Sequence, residues 1–373
     1  PWNNIDPAFI DSLTANRVFD VSSTSLRLFK SSNPVARMIA AELLESPSGA
    51  AGRRASAAIK KHLEERRIMG NSMNDFQTAY ATWRKANGGN IAKDALDGEH
   101  WARYNREVAL HIETGQSTDV SVLRGAAILE QAYERSRALQ VSHKTIGWAA
   151  LPESARGYMP HRMSPGRVRE LTTEQTARLH TMLVDQFVTV EGWDITFSAN
   201  LASRYLEVVK SRAVGDYDAP FSMHQTGAAE AVEDAMTAMG MPAQEVRTRM
   251  GAFVGAMSHT KKRLKLDLSA ELGDGKLLLD VFETDQLRLL RTQAQRVAGE
   301  AALARHGVMG KPGLKLLRRA LAAGGDNTKA QADELEAFDQ VAAEFLGEPF
   351  GDQGGRWLDR AVQFNSLARL GGM

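Results

Sequence analysis

The stretch at residues 147–166 constrains the fold of this chain most, because it is the longest part of the sequence without helical periodicity. Pro152, Pro160 and Pro165 each lack an amide hydrogen and push the preceding residue toward extended backbone, so no continuous helix can pass through it. The stretch also carries Trp148 and Tyr158, whose large side chains favour burial. We therefore predict an ordered, extended strap laid over a helical body.

The sequence on both sides of this stretch has the pattern of helices that begin at capping residues. Asn33 precedes a proline, and Asp119 and Asp194 each precede an apolar-periodic segment, as N-caps do. The Thr-Thr-Glu-Gln sequence at 172–175 predicts a capping box, and an apolar stripe follows it. Residues 53–85 predict one long helix with a candidate break at 69–71.

The periodicity changes between residues 264 and 281, where apolar and polar residues alternate around the Gly-Asp-Gly sequence at 273–275. This pattern predicts a short β-hairpin, and an irregular loop leading into a helix at Asp285 is the alternative. The predicted fold is mainly α, with bundle-like lobes joined by the Pro-rich strap. We divide the chain into an N-terminal helical lobe (1–146), the strap (147–168) and a C-terminal helical lobe (169–373).

Composition excludes several classes of protein. The 373 residues have a net charge of +1, which argues against a binder that uses its whole surface to attract nucleic acid. The chain has no Cys, so a disulfide scaffold, a thiolate zinc site and a cysteine nucleophile are excluded. No uninterrupted apolar window is long enough to span a bilayer. The first residue is not Met, and we expect this chain to be part of a longer polypeptide.

The sequence offers one candidate catalytic residue, Glu153 in a Glu-Ser pair, because lytic transglycosylases place their general acid in such a pair. The downstream Gly-Leu-Met-Gln-like turn of those enzymes is missing here, which favours a solvated loop carboxylate. The His residues lack metal-binding spacing, and no phosphate-binding loop or nucleophile elbow is present. We therefore predict no catalytic, metal-binding or cofactor-binding residue.

Three clusters of basic residues stand out from the neutral background. On helical surfaces such clusters are usually solvated, but on one concave face they can follow a phosphate backbone. Aromatic residues for base stacking are not interleaved with them, which disfavours sequence-specific contact. The candidate DNA-facing residues are Arg53, Arg54, Lys60, Lys61, Lys261, Lys262, Arg263, Lys265, Lys315, Arg318 and Arg319, and Arg66, Arg67 and Lys311 lie in the same clusters.

Several segments, taken in order, resemble the middle region of the internal virion proteins of short-tailed phages, which are also called ejection proteins. They are the Asn-Pro-x-x-Arg opening at 32–37, its continuation at 43–49, the Gly-Tyr-Met-Pro-His-Arg sequence at 157–162, and the sequences at 282–285 and 296–304. The resemblance runs from about residue 32 to residue 370. Some of these proteins carry a separate N-terminal transglycosylase domain.

The resemblance implies a structural role in genome delivery, without catalysis in this fragment. Such proteins are stored inside the capsid, pass through the tail and reassemble in the host periplasm and inner membrane as part of a DNA channel. The implied partners are further copies of the chain in a ring, other ejection proteins, phage DNA and the host envelope. We predict structural roles for the strap residues Trp148, Tyr158, Pro160, His161 and Arg162. The competing interpretations are a peptidoglycan-degrading transglycosylase and a helical adaptor or scaffold module.

Overall fold

The computed structural model describes residues 24–44, 56–90, 98–145, 148–151, 153–154, 156–161, 163–189, 192–211, 236–237, 239–242, 244–246, 248–249, 266–325 and 329–347. Within these ranges the chain forms twelve α-helices and one two-stranded antiparallel sheet, which confirms the predicted mainly α fold with a short hairpin. The helices are α1 (Thr24–Lys30), α2 (Pro34–Leu43), α3 (Ala57–Met69), α4 (Ser72–Ala86), α5 (Glu99–Thr114), α6 (Val120–Ser142), α7 (Pro165–Arg169), α8 (Thr173–Thr189), α9 (Ile195–Ser211), α10 (Gln286–Arg305), α11 (Gly310–Ala323) and α12 (Lys329–Leu346).

The predicted helix starts are present and capped by the expected side chains. The Asn33 side chain accepts a hydrogen bond from a backbone amide of α2 at 2.9 Å. The carboxylates of Asp119 and Asp194 each accept two amide hydrogen bonds, at 2.8 and 3.0 Å and at 2.9 and 3.0 Å. Thr172 and Gln175 exchange two bonds of 3.2 Å, which is the reciprocal pattern of a capping box. These caps satisfy amides that a helix start leaves unpaired.

The predicted break in the long N-terminal helix is also present. Helix α3 ends at Met69 and α4 begins at Ser72. Gly70 lies between them with a φ of 47°, a left-handed conformation that glycine adopts without strain. The sequence Met-Gly-Asn therefore ends one helix and starts another.

The hairpin consists of β1 (Glu271–Gly273) and β2 (Lys276–Leu277). Its two connecting residues, Asp274 and Gly275, have φ values of 54° and 72°. Positive φ at both positions is the requirement of the type I′ hairpin turn, for which Asp-Gly is a favoured pair. A 3₁₀ segment, Leu278–Val281, follows β2 and leads toward α10.

The chain divides into two compact units, each built from three separate stretches. The first unit contains residues 1–69, 135–149 and 292–351, and the second contains residues 70–134, 150–291 and 352–373. The units therefore interleave along the sequence, whereas the predicted division into lobes is serial. An interleaved arrangement requires contacts between residues far apart in sequence, which local patterns do not reveal.

The first unit has a continuous apolar core. Leu28, Ile39, Leu43 and Phe338 are fully or almost fully buried in it, together with residues from the C-terminal half of α10 and from α11. Polar contacts join its helices at the margin of the core: Lys61 of α3 donates to the Glu344 carbonyl of α12 at 2.6 Å. Burial of this apolar surface provides the main favourable contribution to folding.

The second unit contains an aromatic cluster between α4 and α5. Phe76, Tyr80 and Trp83 of α4 contact Trp101 and Tyr104 of α5, with ring centroids between 4.9 and 5.9 Å apart across the two helices. Aromatic pairs in tilted and edge-on geometries stabilise a fold beyond the area they bury. This cluster fixes α5, which carries several of the polar residues described below.

The strap is irregular only in part. It contains a 3₁₀ turn at Trp148–Ala150, and its irregular backbone ends at Ser164 rather than at residue 168, because α7 begins at Pro165. The Ser164 side chain caps α7, because its hydroxyl accepts a hydrogen bond from the Arg167 backbone amide at 3.3 Å. Pro165 fits the first helical position because the backbone nitrogen at that position needs no hydrogen bond within the helix. The Ser-Pro sequence is therefore a helix start, which corrects the predicted end of the strap.

Candidate functional site

The strap and the segment that follows the hairpin meet in the second unit. The Ser164 amide donates to the Val281 carbonyl at 2.8 Å, and Met163 forms an isolated antiparallel bridge with Phe282. Met159 is fully buried. These contacts lie next to two of the segments that carry the resemblance, at 157–162 and 282–285.

His161 lies in an enclosed environment at this junction. Its Nε2 is 2.8 Å from Glu113 Oε1 of α5, and the two side chains are 3% and 12% exposed. The ring of Phe282 packs against the imidazole with a centroid distance of 5.7 Å. An imidazole held in this way between a carboxylate and an aromatic ring has little access to a substrate, which favours the structural role predicted for His161.

The other strap residues differ in their surroundings. Tyr158 packs edge-on against Tyr133 of α6, with ring centroids 5.3 Å apart. Pro160 is half-buried, and Arg162 lies outside the described residues. Trp148, which we expected to be covered, is 38% exposed, and its ring is 6.0 Å from Lys144 Nζ. A cation over an indole face compensates part of this exposure.

We expect Tyr158→Ala to lower the free energy of unfolding by about 1–3 kcal/mol, because it removes the ring that packs against Tyr133. Thermal denaturation followed by circular dichroism measures the change. Tyr133→Phe is the matched control. The Tyr133 hydroxyl is buried without a hydrogen-bond partner in the described part of the chain, so its removal costs no bond there. An unchanged melting temperature for Tyr158→Ala contradicts the proposed anchoring of the strap.

An ion pair links α5 to the 3₁₀ segment after the hairpin. Arg106 contacts both carboxylate oxygens of Asp280, at 2.6 and 3.0 Å, and the Leu277 amide donates to the same carboxylate at 2.9 Å. Burial alone raises the pKa of Asp280, but the hydrogen bonds from Arg106 and Leu277, with the charges of Arg106 and Arg167, lower this pKa overall. The carboxylate is therefore held ionised as a structural contact.

Asp285, at the start of α10, is in the opposite situation. Burial raises the pKa of this carboxyl and the nearby charge of Glu283 adds to the effect, while hydrogen bonds from the Arg288 amide and from Trp101 oppose it. Glu283 is itself 6% exposed and pairs with Arg288 at 3.3 Å. The ionised form of Asp285 therefore costs stability in the folded protein, although the residue caps the helix.

We expect Asp285→Asn to raise the stability at neutral pH by about 0.5–1 kcal/mol, because asparagine caps a helix as well as aspartate and carries no charge. Because the pKa of Asp285 is raised in the folded state, the wild type has its full stability below the ordinary pKa of aspartate. Its free energy of unfolding falls as the pH rises through the pKa of Asp285 in the folded protein. The advantage of the variant therefore disappears below about pH 4. Chemical denaturation at several pH values tests this, and a variant that is less stable at neutral pH contradicts it.

Several residues of this polar network escaped the sequence analysis. Asn105 is fully buried on α5, and its Oδ1 accepts the Gln286 amide at 2.8 Å. Arg106 and Asp280 are separated by 174 positions, and Glu113 lies 48 positions before His161. No spacing or motif in the sequence connects these pairs, so only the tertiary structure reveals them.

The predicted basic clusters are partly occupied by internal partners. Lys61 bonds to Glu344, and Arg318 forms a bidentate pair with Asp339 at 2.8 and 3.0 Å. Arg67 contacts Glu64 at 3.7 Å, and Lys60 also has an interaction partner. The exposed members are Arg66, Arg67, Lys315, Arg318 and Arg319. Arg53, Arg54, Lys261, Lys262, Arg263 and Lys265 lie outside the described residues.

The remaining candidates for chemistry are sparse. Glu153 is exposed, whereas a transglycosylase general acid requires a carboxyl in an apolar cleft. In the ranges that the structure describes, no group of three or more His, Cys, Asp or Glu side chains is placed to hold a metal ion. None of the helices in those ranges combines the length and the apolar character needed to cross a bilayer.

The junction of the strap with the segment after the hairpin is thus a buried set of polar and aromatic contacts, and its geometry suits the support of a fold. Three acid–base pairs lie in it, Arg106 with Asp280, His161 with Glu113 and Arg288 with Glu283, at 2.6–3.3 Å. Compared with models of known protein families the sequence matches none, and no curated protein is significantly similar to it.

Proposed function

We propose that this chain is a structural component of a virion, an internal protein of the kind that short-tailed phages eject. In this proposal it is stored in the capsid and reassembles in the host periplasm and inner membrane. Copies of the chain form a ring with other ejection proteins, and the ring conducts the viral genome across the envelope. This fragment supplies the wall of the conduit and performs no catalysis.

The observation that carries the proposal is the structural use of the segments on which the resemblance rests. In the second unit, residues 157–162 contact the segment at 282–285 through the rings of His161 and Phe282, whose centroids are 5.7 Å apart. In the first unit, Asn33 of the opening motif donates to the Leu321 carbonyl of α11 at 3.2 Å. Residues 296–304 form a buried part of α10. These segments hold helices together, which supports a scaffold better than an active site.

The enzymatic alternative has less support from the geometry. Glu153 is exposed, and His161 is enclosed by Glu113 and Phe282. A muramidase assay of the purified chain tests this alternative directly. Turnover that is lost in Glu153→Gln overturns the structural proposal, and we expect no turnover in either protein.

Self-association is the most direct test of the ring. Light scattering on a dilution series of the purified chain measures its mass without reference to shape. We expect an assembly larger than a dimer that dissociates on dilution, because a closed ring needs a heterologous contact repeated around its axis. A monomer at every concentration, with and without lipid, contradicts the proposal and favours an adaptor module.

Contact with the genome has its own test. We expect the chain to bind duplex DNA of any sequence with an affinity that falls as salt increases. Reversing the three charges Lys261→Glu, Lys262→Glu and Arg263→Glu is expected to reduce the salt dependence by about three counterions. Lys85→Glu, an exposed basic residue outside the clusters, is the control. Absence of wild-type binding at low salt assigns these charges to ordinary solvated surface.

A further inference from the structure

Helix α11 carries more apolar surface than the described part of the first unit covers. Its inner face, with Leu314 and Leu321, is buried in the core of the first unit. An outer strip of residues at spacings of three and four is exposed, and it consists of Met309 just before the helix and Pro312, Leu316, Ala320 and Ala323 within it. Leu316 is 63% exposed and Met309 is 43% exposed. We call these five residues the outer strip.

Leu316 is not an isolated exposed leucine, because the exposed residues one turn before and one turn after it on the same face of α11, Pro312 and Ala320, are also apolar. Isolated exposed leucines are normal on protein surfaces, whereas a row of apolar residues along one helix face marks a contact surface. The outer strip is such a row, and it extends over almost four turns of helix. Its apolar character therefore requires a partner that offers apolar surface.

The charges of α11 indicate the chemistry of that partner. The helix contains four basic residues and no acidic residue. Arg318 is engaged by Asp339, and Lys311 is partly buried and has an interaction partner. Lys315 and Arg319 are exposed beside Leu316, on one edge of the outer strip. The partner must therefore combine apolar surface with negative charge.

We propose that the outer strip of α11 docks on the surface of a lipid bilayer that contains anionic headgroups. An interfacial helix buries its apolar face at the boundary between headgroups and acyl chains, while Lys and Arg at its edge contact lipid phosphates. A DNA backbone offers negative charge but no apolar surface on which Leu316 can be buried. The surface of α11 therefore fits an anionic bilayer better than it fits the DNA predicted to contact Lys315 and Arg319. The inference deepens the proposed function by giving the envelope contact a surface, and it rests on that function only for the identity of the membrane.

Flotation of the full chain with vesicles tests the proposal. One vesicle preparation contains phosphatidylglycerol mixed with phosphatidylcholine, and the other contains phosphatidylcholine alone. We expect binding to the first that weakens with salt, and little binding to the second. Leu316→Ser is expected to weaken binding at least about ten-fold, because it removes the largest side chain that enters the interface.

Charge reversal provides the second arm. Lys315→Glu and Arg319→Glu are each expected to weaken binding to anionic vesicles about ten-fold. The matched controls lie on other helices: Ile195→Ser replaces an apolar residue that is 65% exposed, and Lys85→Glu reverses an exposed charge. We expect both controls to bind like the wild type. All of these side chains are exposed, so melting temperatures are expected to stay unchanged.

Three results overturn the proposal. The first is the absence of wild-type binding to anionic vesicles, or equal binding to both preparations. The second is a loss of self-association in Leu316→Ser with vesicle binding intact, which assigns the strip to a contact between copies. The third is a loss of DNA binding in Lys315→Glu and Arg319→Glu with vesicle binding intact, which assigns the charges to nucleic acid. Ring formation is measured without lipid, so either proposal can fail while the other stands.

Discussion

Gly299→Ala is expected to destabilise the protein by at least about 3 kcal/mol, the largest effect among the substitutions considered. Gly299 lies in the middle of α10, where its backbone approaches the end of α12. A methyl group on Gly299 would lie 1.7 Å from the carbonyl oxygen of Phe345 and 2.8 Å from its carbonyl carbon. Because these are backbone atoms, no rotation of a side chain relieves the overlap, and the two helices must separate.

The direction of this effect distinguishes close packing from helix propensity. In a helix that is not closely packed, replacing glycine with alanine stabilises the protein by about 1 kcal/mol. Ala320→Ser is the control, since it adds one atom at an exposed helical position and is expected to change stability by less than about 0.5 kcal/mol. Urea denaturation measures both variants. A Gly299→Ala protein as stable as the wild type means that α10 and α12 are not in contact at this point.

Asn105→Ala is expected to cost about 2–3 kcal/mol and to loosen the start of α10. The Asn105 side-chain oxygen accepts a hydrogen bond from the backbone amide of Gln286 at 2.8 Å. The Asn105 side-chain nitrogen donates a hydrogen bond to the Trp101 carbonyl at 2.8 Å. Both Asn105 and Gln286 are 0% exposed. Without the asparagine oxygen, the buried backbone amide of Gln286 has lost its hydrogen-bond acceptor. A water molecule cannot reach this site to replace the acceptor at low cost.

Asn87 provides a matched control for this substitution. Its side chain makes the same local bond, to the carbonyl of Trp83 four residues earlier at 2.9 Å, and its surroundings are more exposed. The difference between Asn105→Ala and Asn87→Ala therefore isolates the bond to Gln286. Amide hydrogen exchange reports the same contact, and we expect faster exchange at Gln286 and the next residues of α10 in Asn105→Ala alone. Equal losses of stability in the two variants contradict this role for Asn105.

The local features of this fold could be predicted from the sequence because their causes are local. Asn33, Asp119 and Asp194 begin helices because a short polar side chain satisfies the free amides of the first turn. Asp274 and Gly275 form a hairpin turn because both tolerate positive φ. The end of the strap was predicted too late because Pro165 was considered only as a helix breaker, although Ser164 and Pro165 together form a helix start.

The tertiary contacts could not be predicted in this way. Arg106 meets Asp280 and Asn105 meets Gln286 although the partners are at least 174 positions apart in sequence. Each of these residues fits its own element equally well without the other. Gly299 looks like a weak point of a helix in the sequence, and its purpose is visible only when Phe345 lies beside it. The sequence also does not show that Trp148 and Leu316 are exposed, because the tertiary packing decides which large apolar side chains are covered.

We propose that this chain builds a conduit from its helices and carries out no reaction. Electron microscopy of the purified chain, assembled at the concentration where light scattering detects its largest species, distinguishes a conduit from an enzyme. We predict closed rings with an axial opening wide enough for a nucleic acid duplex. A reconstruction of separate compact subunits, each with a substrate-sized cleft around an acidic pair, would overturn the proposed conduit.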